Sequence, residues 1–160
     1  MKIFITSDSH FNHKNIIQYS NRPFKSVEEM NEEMIKRWND KVGKDDLVIH
    51  LGDFALGNGQ QVQKIKRKLN GTVMLIVGNH DHKITRRAGF MIINGSLRID
   101  KFIFSHRPLP KEEIPVGLTN VHGHIHNKES FNGINVSVEK TDYAPIELNE
   151  LENMSKNQKS

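Results

Sequence analysis

The sequence predicts an α/β domain in which two sheets pack together and helices flank them, and three observations carry that prediction. Through the first half of the 160-residue chain, short apolar runs alternate with helix-spaced apolar positions, the order expected of parallel strands joined by helical crossovers. Beyond residue 88 apolar runs follow one another with turns and no long helix between them, which suits a second sheet better than a widening of the first. Hydrophobic residues make up 36% of the chain, enough for a core that buries about two-thirds of the unfolded surface.

Each element has its own justification. Lys2–Thr6 (KIFIT) is a short buried strand. Ser26 followed by Glu29 reads as a capping box, and Val27, Met30, Met34 and Trp38 then recur at helical spacing. Asp46–Leu51 (DLVIHL) is a second strand, Gln60–Leu69 a second helix, and Thr72–Val77 (TVMLIV) a third strand. FMII, LRI, KFIF, TNVHGHIH and INVSV supply the strands of the second half. Pro145, with Ile146, Leu148 and Leu151 after it, predicts a closing helix whose first turn holds the proline. Residues 1–153 are expected to form one domain, and 154–160 a polar, disordered tail.

Composition excludes several classes of function. No apolar stretch approaches the ~20 residues of a membrane helix, and the Ile3–Ile5 run is far shorter than the ~7–15-residue apolar region of a secretory signal, so a cytoplasmic protein without a membrane partner is expected. Cysteine is absent, which removes disulfides, thiolate metal sites and cysteine nucleophiles. The net charge of +4 permits a polyanionic partner without requiring one. Lys64, Lys66, Arg67 and Lys68 interleave with Val62, Ile65 and Leu69, the pattern of an amphipathic helix with a solvated face. Nine histidines stand out against one tryptophan and two tyrosines.

Those histidines fall where the apolar runs end. The first run is followed by Asp8-Ser9-His10, the second by Gly52-Asp53, the third by Gly78-Asn79-His80-Asp81, KFIF by Ser105-His106-Arg107, and the run at Val121 by Gly123-His124-Ile125-His126. Ligands of open α/β sheets bind beyond the carboxyl ends of strands, so five blocks are delivered to one edge. The i, i+2 spacing of Asp8/His10 and His124/His126 would put each pair on one side of an extended chain. Taken singly, each block also reads as a turn, a cap or a satisfied loop histidine; their joint occurrence in register does not. Asp8, His10, Asp53, Asn79, His106, His124 and His126 offer only oxygen and nitrogen donors, a set suited to Mn²⁺, Fe²⁺, Co²⁺, Ni²⁺ or Zn²⁺. Two carboxylates against two dications leave the site net positive, and a tetrahedral phosphate is its natural anion.

The blocks resemble the calcineurin-like metallophosphoesterase superfamily, whose pattern is DxH…GD…GNH[DE]…H…GHxH, over residues 8 to 126. The resemblance implies a four-layer α/β/β/α sandwich of two mixed sheets flanked by helices. It further implies that Asp8, His10 and His126 hold one metal, that Asn79, His106 and His124 hold the other, and that Asp53 bridges them. By the same resemblance the reaction is an in-line attack of a metal-bridging hydroxide on a phosphate ester. His80 would donate the proton to the leaving oxygen, with Asp81 orienting it. The expected cofactors are two divalent ions, with Mn²⁺ favoured over Fe, Zn, Ni or Co.

One departure narrows the substrate. Gly52-Asp53 is followed by Phe54-Ala55-Leu56, not by the Asp-Arg-Gly-type continuation of the superfamily's protein phosphatases and diadenosine-tetraphosphatases. The compact length resembles small bacterial or phage members, so a phosphodiesterase is expected, on substrates that include nucleotides or nucleic acid. A phosphomonoesterase or nuclease on the same site, or a non-catalytic scaffold on this fold, are the alternatives. His13 and Arg107 are the substrate-contact candidates, although packing and capping is the favoured reading for Asn12, His13 and Arg22. Lys83, Arg86 and Arg87 form a basic loop suited to steering anions, His122 and His50 suit supporting or core positions, and His82 has no assignment.

Overall fold

The computed structural model describes residues 1–158. In chain order the strands are β1 (Ile3–Thr6), β2 (Leu47–His50), β3 (Thr72–Ile76), β4 (Met91–Ile93), β5 (Ser96–Ile99), β6 (Phe102–Ser105), β7 (Thr119–His122), β8 (Ile134–Asn135) and β9 (Ile146–Glu147). The helices are α1 (Ile16–Tyr19), α2 (Val27–Lys41), α3 (Gly59–Lys68), α4 (Lys83–Arg86) and α5 (Glu150–Gln158). They build an α/β fold of two mixed sheets with helices. One sheet runs β4-β3-β2-β1-β9, and the other runs β5-β6-β7-β8. In the first sheet β1 to β4 pair in parallel, and β9 closes the edge antiparallel to β1. In the second, β6, β7 and β8 are parallel and β5 is antiparallel.

The first sheet is buried on both faces, which is why its strands read as unbroken apolar runs. Alternation along the strands sorts the side chains between two cores. Phe4, Val48, Val73 and Leu75 join Met30, Met34 and Trp38 of α2 and Val62 and Ile65 of α3. Ile5, Ile49 and Ile76 point the other way and meet Phe104, Val121 and Ile134 of the second sheet, with Leu151 of α5. The amphipathic reading of the basic run is thus realised in α3, whose Val62 and Ile65 are buried. Ser26 Oγ accepts Glu29 N at 3.1 Å, while the Glu29 carboxylate reaches back to Lys25 N, one residue before the cap. Asn58 and Gln61 form a complete reciprocal box at the start of α3, a cap the sequence reading passed over.

Three expectations need correction. Pro145 does not open a helix: Ile146 and Glu147 pair with Ile5 and Phe4 as an edge strand. The free side of β1 and the burial of Ile146 between the sheets outweigh the local signal. The helix starts at Glu150 instead and continues to Gln158, so 154–158 is helical where a disordered tail was expected. Residues 159 and 160 lie outside the described residues. Finally, TNVHGHIH is a strand only to His122, and of INVSV only Ile134–Asn135 is strand. The rest is loop that serves the site. No helix among the described residues is long and apolar enough to cross a membrane.

Candidate metal centre

The loops that leave β1 and β2 are zipped together by their backbones. Asp8 N donates to Gly52 O at 2.9 Å, His10 N to Asp53 O at 3.0 Å and Phe11 N to Phe54 O at 2.9 Å. Gly123 N donates to His106 O at 2.9 Å and joins the two loops of the second sheet in the same way. Asp8, His10, Asp53, His124 and His126 all have φ between 48° and 72°. The chain at Asp8/His10 and His124/His126 is therefore not extended, and the same-side argument from strand alternation is replaced by a left-handed turn at each residue. That conformation costs about 1–2 kcal/mol per non-glycine residue, which the surrounding bonds must offset. Gly123 is required by contact: a Cβ there would collide with Ser7 Oγ and Asp8 Oδ2.

The turns gather two groups of donors. In the first, Asp8, His10 and His126 each place a ligand atom within 4.8 Å of the others. Asp8 Oδ1 lies 3.8 Å from His10 Nε2 and 3.9 Å from His126 Nε2. Asp8 Oδ1 and His10 Nε2 are both buried without a hydrogen bond among the described residues. Leaving such groups unpaired is costly unless something else engages them. The remaining atoms are taken. Asp8 Oδ2 accepts His124 N at 2.8 Å and Ser7 Oγ at 2.5 Å. His126 Nδ1 is 2.9 Å from Glu139 Oε1, and His10 Nδ1 is 3.2 Å from His13 Nδ1.

The second group is Asp53, His106 and His124, with Asn79 against it. Asn79 Oδ1 is 2.7 Å from His106 Nε2 and 3.1 Å from His124 Nδ1. His106 Nδ1 faces Leu51 O at 2.8 Å, so the neutral ring carries its proton there and turns a bare Nε2 toward Asn79 Oδ1 and, at 3.5 Å, Asp53 Oδ2. Acceptors facing acceptors at these distances suit a cation among them. Asp53 Oδ2 is also 3.5 Å from His10 Nε2, which sets this one oxygen between the two groups, while Asp53 Oδ1 accepts His80 N at 2.8 Å. The seven expected ligands are thus brought together, and their oxygen and nitrogen donors fit two divalent cations.

The surroundings set the electrostatics. Burial pushes the Asp8 carboxyl up, but His10 beside it and the His106 and His126 imidazoles outweigh this and hold it well below the usual carboxylate range. Burial would lower His126; its bond to Glu139 and the Asp8 charge reverse the sign and raise it. Burial would raise Glu139, and His126 and Arg22 bring it down. His124 is lowered, by burial first and then by His106 and Arg107. His50 is pushed down to about 3 by burial. Its Nδ1 accepts Gly52 N and its Nε2 meets Ser9 Oγ at 2.8 Å, so it is a neutral brace between the first two loops.

Two residues matter more than their sequence positions suggested. Arg22 is buried, and donates to Ser9 O and Asp8 O, both at 2.7 Å, and to Glu139 Oε1 at 2.8 Å. Packing was the favoured expectation, and the guanidinium does hold the first loop by its carbonyls. Glu139 was missed, although the rule that found the other blocks applies to it: it follows the apolar INVSV run. Asp81 also differs from its expected partner. Among the described residues its carboxylate takes Gly78 N, Asp53 N and Phe54 N at 2.7, 2.8 and 3.0 Å, instead of contacting the His80 ring. The three backbone donors lie close enough to capture both oxygens, so Asp81 ties the β3 loop to the β2 loop, and burial pushes its pKa up.

His80 is exposed, its ring 5.7 Å from that of His10. It lines a cavity of about 440 Å³ with His13, Tyr19, His124, His126 and Lys128. His13 therefore faces the cavity as well as His10, and its pKa falls to about 4, through burial and then the His10 charge. Arg107 Nη1 lies 3.5 Å from His124 Nε2, beside the second group. His122 bonds Ser130 Oγ at 2.7 Å and Gly123 O at 2.9 Å and ligates nothing.

A fold of two mixed sheets with clustered histidines and carboxylates at the strand ends defines a class of metal-dependent hydrolases, and comparison with known proteins agrees. The chain belongs to the calcineurin-like phosphoesterase family, whose model it matches over residues 1–158. An uncharacterized protein of Methanocaldococcus jannaschii is 38% identical over 158 residues, covering 92% of this chain and 87% of that protein. The Gene 66 protein of Mycobacterium phage L5 is 37% identical over 90 residues, 53% of this chain and 43% of that protein. A protein of unknown function from Aquifex aeolicus has a crystal structure that superposes with a TM-score of 0.76 at 25% identity, over 96% of this chain and 98% of that one. A Pseudomonas putida nuclease shares the fold at a TM-score of 0.51 and 22% identity, over 78% of this chain and 61% of that one. The chain is accordingly a phosphoesterase, a hydrolase of phosphate esters, with two groups of residues fit to bind divalent metal.

Proposed function

We propose that the protein is a phosphodiesterase working with two divalent cations, Mn²⁺ favoured. Asp8, His10 and His126 would hold one ion, Asn79, His106 and His124 the other, with Asp53 shared. The observation that carries this reading is the position of Asp53 Oδ2, 3.5 Å from Nε2 of both His10 and His106. A carboxylate so placed serves two ions at once. When bound, such a pair supplies charge against the pentacoordinate oxyanion and a nucleophile at neutral pH.

The protein's own groups do the rest. His80 delivers a proton to the departing ester oxygen: its backbone is held by Asp53 Oδ1, and its imidazole reaches into the cavity. Asp81 positions it indirectly, by fixing the loop on which it stands. Arg107, adjacent to His124, contacts a non-bridging phosphate oxygen. His13 sits behind His10 and closes one wall, so its contact to substrate is secondary to its hold on that ring. Diesters are favoured over monoesters because the cavity beside the metal groups is lined by Ile16, Tyr19 and Ile125 as well as by imidazoles and Lys128, which gives a second ester arm apolar surface to rest on. The test is kcat/KM of the Mn²⁺-loaded protein on bis-p-nitrophenyl phosphate against p-nitrophenyl phosphate. The diester should be preferred; a preference for the monoester would overturn the assignment.

A further inference from the structure

A second, larger cavity of about 760 Å³ adjoins the first across the segment Ile125–Lys128, whose Ile125, Asn127 and Lys128 line both. Its lining includes the run Pro108-Leu109-Pro110, which follows His106 and Arg107 directly, together with Ile125 and Phe131. Phe131 is 95% exposed, an unusual place for a phenyl ring unless something covers it.

Buried polar side chains pin the backbone of the segments that line it. Asn120, fully buried, accepts Leu109 N at 2.9 Å and donates to Ser105 Oγ at 2.9 Å; Ser105 Oγ in turn donates to Arg107 O. Asn135, also buried, donates to His126 O and Lys128 O at 2.7 and 3.1 Å. His122, completely buried, holds Ser130. These anchors bind nothing themselves. Their shared effect is to fix the backbone at Leu109 and Lys128 and the side chain of Ser130 next to the metal groups, which lowers the ordering cost of binding there.

We propose that this cleft is the subsite for one organic arm of the diester, and that the arm carries a flat, neutral heteroaromatic group of the nucleobase kind. The inference rests on the phosphodiesterase reading for its position: the arm must run from a phosphorus near Arg107 and His124 past Ile125 into the cleft. The chemistry of the lining selects the group. Proline rings and Phe131 present apolar faces for stacking, and the amides of Asn127 and Asn132 offer donors and acceptors to the edge of a base. A saturated alkyl arm would leave both amides unused.

The experiment compares the Mn²⁺-loaded wild type with Phe131→Ala and Phe131→Trp. Turnover is read on the p-nitrophenyl ester of thymidine monophosphate and on methyl p-nitrophenyl phosphate. Binding is read calorimetrically with thymidine monophosphate and with methyl phosphate. The wild type should prefer the thymidine ligands by about 10-fold or more in kcat/KM and in Kd; Phe131→Ala should erase the preference, and Phe131→Trp should keep it. Equal treatment of both ligands by the wild type, or a preference that survives Phe131→Ala, would overturn the subsite. Failure to hydrolyse either diester, with the binding preference intact, would count against the phosphodiesterase reading and leave the subsite standing.

Discussion

The two donor groups are built from similar residues but supported differently. Behind Asp8, His10 and His126 stands a buried ion pair: Arg22 grips the Asp8 and Ser9 carbonyls and Glu139, and Glu139 grips His126. Behind Asp53, His106 and His124 stands no such carboxylate: the Leu51 carbonyl holds His106, and the charged neighbour of His124 is Arg107, 3.5 Å from its Nε2. Charge in the first frame raises His126 and lowers Glu139, whereas burial, and then His106 and Arg107, leave His124 lowered. Protons should therefore compete for His126 of the first group more than for His124 of the second. A carboxylate behind a ligating histidine raises its basicity and fixes its ring; a backbone carbonyl fixes the ring with less gain in basicity.

The largest effect should come where the comparison is removed altogether. Asp53→Ala takes away the oxygen between the groups, and is expected to lower metal stoichiometry and cut phosphodiester turnover by about 10³-fold or more. A variant that still carried both ions would refute the shared role. His80→Ala should reduce kcat by about 10²–10⁴ while both groups stay filled, because the ring ligates neither. Full activity on an alkyl ester, whose leaving oxygen needs protonation, would remove His80 from the mechanism.

Glu139→Gln then separates the groups. It keeps the shape behind His126 and drops the charge, so affinity at the first site should fall by about 10–100-fold while the second is unchanged. Chelator competition followed by Mn²⁺ paramagnetic resonance resolves the two. Equal weakening of both would mean that the Arg22–Glu139 pair supports the fold at large and not one site. The smallest effect is in the pH dependence. His126, with its raised pKa, must shed a proton before it can ligate, so affinity at the first site should drop as pH is lowered from about 8 to 6. The second, with His124 lowered, should hold over the same range. Parallel titration of both sites would contradict the difference in their frames.

How far the sequence carried depended on whether a feature was local. The parallel strands were legible because burial on both faces leaves runs such as LVIH and TVMLI unbroken by polar residues. The candidate ligands were legible because each follows such a run. The pairing of Arg22 with Glu139 escaped because it is long-range: the two lie 117 residues apart in sequence and 2.8 Å apart in space. Pro145 misled because an edge of β1 available for pairing cannot be seen from the residues around the proline. The left-handed turns at Asp8 and His124 were likewise hidden, since neither aspartate nor histidine announces a positive φ as glycine does.

The account stands on two ions sharing Asp53. Equilibrium titration of the chelator-treated full chain with Mn²⁺, counted as ions bound per chain, tests it most directly. Two ions per chain are predicted; saturation at one ion, or at none, would contradict it.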